Sequence, residues 1–311
     1  MIYLPADLRP NYNGACCACL PNVVTSIGCN PVGRSAPCGP AVSYCRENPW
    51  PAGQAPALRR NPVLRYLLLS DIHSNLEALE VCLELAQGKY EQVLCLGDLV
   101  GYGPDPNAVI EKIRPLASII IRGNHDKACS GHPVAAEFNP LARLATEWTR
   151  NELTPEHFGF LHCLPAGPVQ LDGFQIVHGS PLDEDEYIVG PGQAFPVLRS
   201  PETRTVCFGH THHQGGFMIS PQARFQTIRL PLKKDGLILA FPLEDQGRYL
   251  VNPGSIGQPR DGDWRAAFAI FDSGQHTVEY FRTSYDLPRT QEKMRKAGLP
   301  QLLIERLEHG R

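Results

Sequence analysis

Apolar residues occur along this chain in short bursts, each closed by glycine or by a polar residue able to bind a cation. Tyr66 to Leu69 leads into Asp71 and His73, Val93 to Leu96 into Gly97-Asp98, and Ile119 to Ile121 into Gly123-Asn124-His125-Asp126. Phe174 to Val177 leads into His178-Gly179, and Thr205 to Phe208 into Gly209-His210-Thr211-His212. Runs of this length bounded by turn formers read as buried strands. Helical patterns separate the first three. Leu76, Leu79, Leu83 and Ala86 recur at helical spacing after a Ser74–Glu77 capping pair, and Pro106 opens a second helix through Ile113. Strand-helix-strand-helix-strand implies parallel pairing. Sites in open α/β sheets form just beyond the carboxyl ends of strands. All five strand ends are therefore expected to converge, with Asp98 at their centre.

The later chain changes texture. Residues 130–172 read as a helical insert, with Leu141, Leu144, Trp148 and Leu153 in rough helical period and a second helix from Pro155 to Leu161. It either covers the site as a lid or packs on the sheet edge. Pro181 to Ser200, with its run Asp183-Glu184-Asp185-Glu186, reads as a solvated loop. Strands are expected near Gly216–Ile219, Leu237–Phe241, Tyr249–Asn252, Ala266–Phe271 and Thr277–Phe281, before an amphipathic helical pair broken at Gly298-Leu299-Pro300. The ordered domain is expected to span residues 63–311.

Residues 1–62 differ from the rest. They are rich in Pro, Gly, Ser and Asn, hold six of the eleven cysteines, and show no apolar period. Cys16 and Cys19 have zinc-like spacing without a second pair, and a disulfide framework needs an oxidising compartment. A disordered extension is the expectation, and an over-long gene start would explain it. The composition of the whole, 42% hydrophobic and 20% charged, is that of a globular protein. A net charge of −3, with no basic run larger than Lys233-Lys234, argues against an extended nucleic-acid groove but leaves small phosphorylated substrates open. No run approaches the roughly 20 apolar residues of a membrane span, and Met1–Arg9 lacks a secretion-signal plan. The cytoplasm is the expected location; the oligomeric state is not legible.

The strand ends supply Asp71, His73, Asp98, Asn124, His178, His210 and His212. Two carboxylates, four imidazoles and one amide oxygen exceed the needs of one ion but suit two divalent ions sharing Asp98 as a bridge. Such a pair clamps the attacking and leaving oxygens of an in-line displacement and supplies hydroxide at neutral pH. Mixed nitrogen and oxygen donors suit manganese, iron, zinc, cobalt or nickel over calcium or magnesium without choosing among them; manganese is the working expectation. His125 adjoins a ligand, so an acid role toward the leaving oxygen is expected, worth about 10²–10⁴-fold. His132, His157, His162, His276 and His309 stand alone, and His213 should point away from His212.

The motifs Asp71-Ile72-His73, Gly97-Asp98, Gly123-Asn124-His125-Asp126, His178-Gly179 and Gly209-His210-Thr211-His212 resemble the full set of the calcineurin-like metallophosphoesterase superfamily. The run from residue 64 to about 285 is similar to its small bacterial and archaeal phosphoesterase branch. The resemblance implies an α/β fold, a four-layer αββα sandwich with two mixed β-sheets, and a phosphodiesterase or phosphatase activity. It assigns Asp71, His73 and His212 to one ion, Asn124, His178 and His210 to the other, and Asp98 to both, with His125 facing substrate. Gly101 and Tyr102 stand where protein phosphatases of the superfamily carry a carboxylate and an arginine, which argues against that activity. Arg122 and Arg260, the latter after Asn252-Pro253-Gly254-Ser255, are candidate phosphate clamps. The alternatives are a non-catalytic scaffold on the same fold, disfavoured because all seven ligand positions are kept, and a nuclease. A chain expressed from Val63 is expected to stay soluble and active; insolubility of that truncation would assign the first 62 residues a structural role.

Overall fold

The computed structural model describes residues 64–132, 138–202, 204–231 and 235–311; the expectations for residues 1–62 and for Lys233-Lys234 lie outside them. The first half runs β1 (Arg65–Leu69), α1 (Leu76–Ala86), β2 (Gln92–Cys95), α2 (Pro106–Ile113), β3 (Ile119–Ile120) and α3 (Asn124–Cys129). Then come α4 (Pro140–Glu152), α5 (Pro155–His162), β4 (Val169–Gln170), β5 (Gln175–Ile176), α6 (Pro191–Arg199) and β6 (Thr205–Cys207). The rest is β7 (Gly215–Ile219), β8 (Phe225–Ile228), β9 (Gly236–Pro242), β10 (Arg248–Asn252), β11 (Ala266–Asp272) and β12 (Thr277–Thr283). Helices α7 (Leu287–Lys296) and α8 (Gln301–Arg306) close the chain.

Two six-stranded sheets result, in the orders β3-β2-β1-β11-β12-β9 and β4-β5-β6-β10-β7-β8. Both are mixed. β1, β2 and β3 are parallel, as are β5, β6 and β10, while the remaining pairs are antiparallel. The two-residue alternation of a strand explains the layering. Leu67 and Leu69 of β1 pack under α1 and α2 with Leu79, Cys82 and Ile110. Tyr66 and Leu68 point the other way, into an inter-sheet core with Phe174, Ile176, Cys207 and Val251. On the far side of the second sheet, Val206, Phe208 and Leu250 meet Ala194, Val197 and Leu198 of α6. This is the four-layer αββα sandwich.

The structure corrects several local expectations. The stretch read as a solvated loop contains α6, whose apolar face Ala194, Val197 and Leu198 has helical spacing; Pro191, Gly192 and Pro196 hid it. Proline at the first helical position is compatible with a helix start. Helix α1 is capped by Asn75, not Ser74, with the Asn75 side chain accepting from Ala78 N at 3.2 Å. In α4 the buried face is Ala142, Ala145, Thr146 and Thr149, and Leu144 is exposed. Small residues there let α4 approach closely, which periodicity of large apolar residues does not show. β4 and β8, at sheet edges, carry little apolar signal and were not foreseen.

The sheets are also tied by polar groups. Arg282 of β12 is fully buried. It donates to Gln214 Oε1 at 3.0 Å, to the carbonyls of Asp263 and Arg265, and to the Asp261 carboxylate. Gln214 in turn donates to the carbonyls of Pro253, Phe268 and Phe281. Removing one partner of a buried charged pair leaves the other uncompensated. Arg282→Met is therefore expected to lower unfolding free energy by about 3–5 kcal/mol, measured by denaturant titration.

Candidate metal centre

The turn from β1 into α1 is laced to the end of β2. Asp71 N donates to Gly97 O, His73 N to Asp98 O and Ser74 N to Leu99 O, at 2.9–3.0 Å. These hydrogen bonds set Asp71, His73 and Asp98 side by side. The turn after β6 is held to the same place, because His210 N donates to both oxygens of Asp71 at 3.2 Å. Holding so many side chains at one point strains the backbone. Asp71, His73, Ser74, Asp98, Tyr102, His210 and His212 all have φ between 48° and 65°. Such left-handed residues cost roughly 1–3 kcal/mol each. A methyl group at Gly123 would lie 2.1 Å from Asp98 Oδ1, so only glycine lets α3 approach the carboxylate.

The convergence expected at the strand ends is present. Asp71, His73, Asp98 and His212 form one buried group of donors, and Asp98, His178 and His210 another; within each, the donor atoms lie within 4.8 Å of one another. Asp98 belongs to both. Its Oδ2 is 3.6 Å from His73 Nε2 and 3.4 Å from His178 Nε2. Across the first group His73 Nε2 faces His212 Nε2 at 3.1 Å, and His212 Nε2 is 3.3 Å from Asp71 Oδ1. Across the second, His178 Nε2 lies 3.1 Å from His210 Nδ1 and 3.3 Å from Asn124 Oδ1.

The outer nitrogens fix the tautomers. His73 Nδ1 is 3.1 Å from Val100 O, His178 Nδ1 2.8 Å from Leu96 O, His212 Nδ1 2.6 Å from Gln258 O, and His210 Nε2 3.0 Å from Asp185 O. A carbonyl only accepts, so each outer nitrogen carries a proton, and the inner nitrogens of the neutral rings His73, His210 and His212 present lone pairs. Asp98 Oδ2 is buried without a hydrogen-bond partner. Lone pairs facing lone pairs around an unpartnered carboxylate oxygen are what cations satisfy, so the residues present fit divalent metal ions.

Burial governs the electrostatics. It holds His73, His210 and His212 well below the ordinary imidazole range and so keeps them neutral. It pushes the Asp71 carboxyl up to about 7, although His178 opposes the rise. Burial also penalises the Asp98 anion, but His178, His125 and His73 outweigh it and hold Asp98 well below the usual carboxylate range. His178, against the same burial, is carried up to about 9 by Asp98.

Several supporting residues escaped the sequence reading. The Asp126 carboxylate accepts from Gly123 N, Asp98 N and Val100 N at 2.8–3.2 Å, pinning the Asp98 turn from below. Its place directly after Asn124-His125 was the available signal. Asn252 donates to Gly209 O and Thr211 Oγ1, and Ser255 Oγ donates to Asp71 O at 2.8 Å, so the Asn-Pro-Gly-Ser segment braces two motifs. The Tyr102 ring packs tilted against His125 and edge-on against His73, with ring centroids at 4.4 and 4.9 Å. Gly101 lies against the His125 ring, where a Cβ would come 2.7 Å from Nδ1.

His125 donates its backbone N–H to Asp98 Oδ1 at 2.9 Å and faces the same cleft as Asn124 and His210. Arg260 donates to Gln258 Oε1 at 2.9 Å, lies over the Tyr102 ring and acts electrostatically on Asp71, His73, His125 and His212. Arg122 is instead forked onto Glu184 at 2.9 and 3.1 Å, which occupies the guanidinium proposed as a clamp. His213 is exposed and bonds to Arg260 O, away from the donors. His132 and His162 do not stand alone: their rings stack at 4.5 Å.

Sandwich and donor set together define a metal-binding α/β protein. Residues 64–275 match the calcineurin-like phosphoesterase superfamily domain, and the chain belongs to that superfamily. An uncharacterized protein of Methanocaldococcus jannaschii is 35% identical over 250 residues, 78% of this chain and 97% of its own length. The crystal structure of a metallophosphoesterase from Sphaerobacter thermophilus is 38% identical, covering 80% of this chain and all of that one, with a TM-score of 0.67. A hypothetical protein of Pyrococcus horikoshii, 23% identical with a TM-score of 0.61 over 79% of this chain and 98% of its own, shares the fold. No helix among the described residues is long and apolar enough to cross a membrane.

Residues that orient metal ligands typically contribute 10–100-fold to affinity. Asp126→Ala is accordingly expected to weaken divalent-ion binding by about that factor, read by calorimetry; unchanged affinity would show that the Asp98 turn holds itself.

Proposed function

We propose that the protein is a metal-dependent hydrolase of phosphate mono- or diesters with a small organic part, holding two divalent ions that share Asp98. The observation that carries this reading is the pair of donor groups meeting at one carboxylate whose Oδ2 has no other partner. Asp71, His73 and His212 would hold one ion and Asn124, His178 and His210 the other. Manganese is the working expectation, among the manganese, iron, zinc, cobalt and nickel that the mixed donors suit alike. When bound, such ions place positive charge at phosphoryl oxygens and acidify water toward neutrality.

The chain's own residues do the rest. His125 is fixed by its backbone bond to Asp98, by Tyr102 on one side and by Phe138 at 4.6 Å. Burial lowers its basicity to about 4, so the ring is neutral at rest and offers an N–H to the phosphoryl or leaving oxygen. Arg260 supplies a guanidinium near the donors for a phosphoryl oxygen, a charge-assisted contact with directional donors. The cleft above His125 measures about 280 Å³, room for a small ester. Family membership supports phosphoester hydrolysis, and the retained donor set speaks against a scaffold role.

Hydrolysis of a simple phosphomonoester and a phosphodiester should disappear on chelation and return with added manganese. His125→Ala is expected to lower kcat about 10²–10⁴-fold with metal content by elemental analysis unchanged. Turnover that survives complete metal removal would overturn the proposal, and loss of metal from the variant would make His125 a ligand.

A further inference from the structure

Two site histidines carry an aromatic ring on their outer faces. Tyr187 stacks on His210 with centroids 3.6 Å apart and planes at 27°, and Phe138 lies on His125 at 4.6 Å. Both aromatic residues are only partly covered, Tyr187 being 45% exposed, and both line the cleft that holds Asn124, His125 and His210.

The Tyr187 ring is held in place from several directions. The Arg260 guanidinium acts electrostatically on the Tyr187 hydroxyl, against the effect of burial. Its loop is fixed by His210 donating to Asp185 O at 3.0 Å and by the Lys127 ammonium paired with Asp185 and Glu184. An aromatic side chain whose back is stacked and whose loop is anchored presents its free face at little entropic cost. Nothing in the hydrolysis of a phosphate ester requires such faces beside the donors. They suit the organic part of the ester.

We propose that the cleft is a stacking subsite, and that the ester it takes carries a flat aromatic ring laid against Tyr187, with Phe138 as the second wall. This rests on the phosphoesterase reading for the phosphate end alone. The ring subsite itself follows from the side chains. Ring stacking of this kind discriminates against a puckered ring of the same size, because a saturated ring cannot lie flat on the Tyr187 face.

The test uses the full-length, manganese-loaded protein with benzyl phosphate and cyclohexylmethyl phosphate. Both leave as primary alcohols and differ in the shape of the ring. The corresponding phosphonates serve as non-hydrolysable probes in calorimetry. Wild type should favour the flat ring about tenfold in kcat/KM, mostly through KM, and in phosphonate affinity. Tyr187→Leu should collapse that ratio toward one, and Tyr187→Phe should preserve it. Phe138→Leu, at the other wall, should reduce it.

Hydrolysis of both esters with equal efficiency would leave the phosphoesterase reading standing and overturn the subsite. Phosphonates bound with the flat-ring preference but no ester hydrolysed would overturn the phosphoesterase reading and support the subsite. Phosphonates bound without preference, or not at all, would overturn the subsite whatever the turnover.

Discussion

The structure depends on the burial of one carboxylate, Asp98, among imidazoles. An ionised carboxylate withdrawn from water costs several kcal/mol unless partners replace the lost hydration. Asp98 Oδ1 has such a partner in His125 N, but Oδ2 has only the inner nitrogens of His73 and His178, beyond hydrogen-bond length. The surrounding imidazoles hold the group ionised in spite of its burial. A fold that merely wanted a stable interior would have placed an apolar residue here. The cost is intelligible if cations complete the arrangement.

Keeping that carboxylate in place shapes the backbone on every side. The seven left-handed residues around the centre, each strained, persist because the peptide groups of three turns bond to one another and to Asp126, Asn252 and Ser255. Strain of this kind survives only where surroundings over-determine it. The sandwich supplies those surroundings. β1 and β2 pair in parallel in one sheet, and β5, β6 and β10 in the other, so the ends of strands from both sheets face a common rim. The Arg282–Gln214–Asp261 network joins the second strand group to β12 beneath that rim.

The aromatic residues form a further layer outside the donors. Tyr102 is buried and belongs to the frame that orients His125 and His73, while Tyr187 and Phe138 remain partly open to the cleft. The acidic run read from sequence as a solvated loop turns out to be the cleft wall. Its Glu184 and Asp185 are neutralised by Arg122 and Lys127, which fixes the loop that carries Tyr187.

Much of this was decided locally and could be read along the chain. Short apolar runs ending in Asp, Asn or His give strands with donors at their carboxyl ends, because burial on both faces demands apolar residues and a turn demands Gly or a small polar group. That pattern sufficed for the parallel strand-helix order, the meeting of seven polar side chains at the strand ends, the helical pair of the insert and the two helices at the C-terminus. Tertiary contacts decided the rest. Helix α6, with prolines and glycine inside it, forms because the second sheet offers an apolar face for Ala194, Val197 and Leu198. The tautomer of each histidine was set by carbonyls far away in sequence, such as Leu96 for His178 and Gln258 for His212. Likewise Arg122 and Arg260 look alike as lone arginines, and only the neighbours brought by folding, Glu184 for one and the Tyr102 ring for the other, tell them apart.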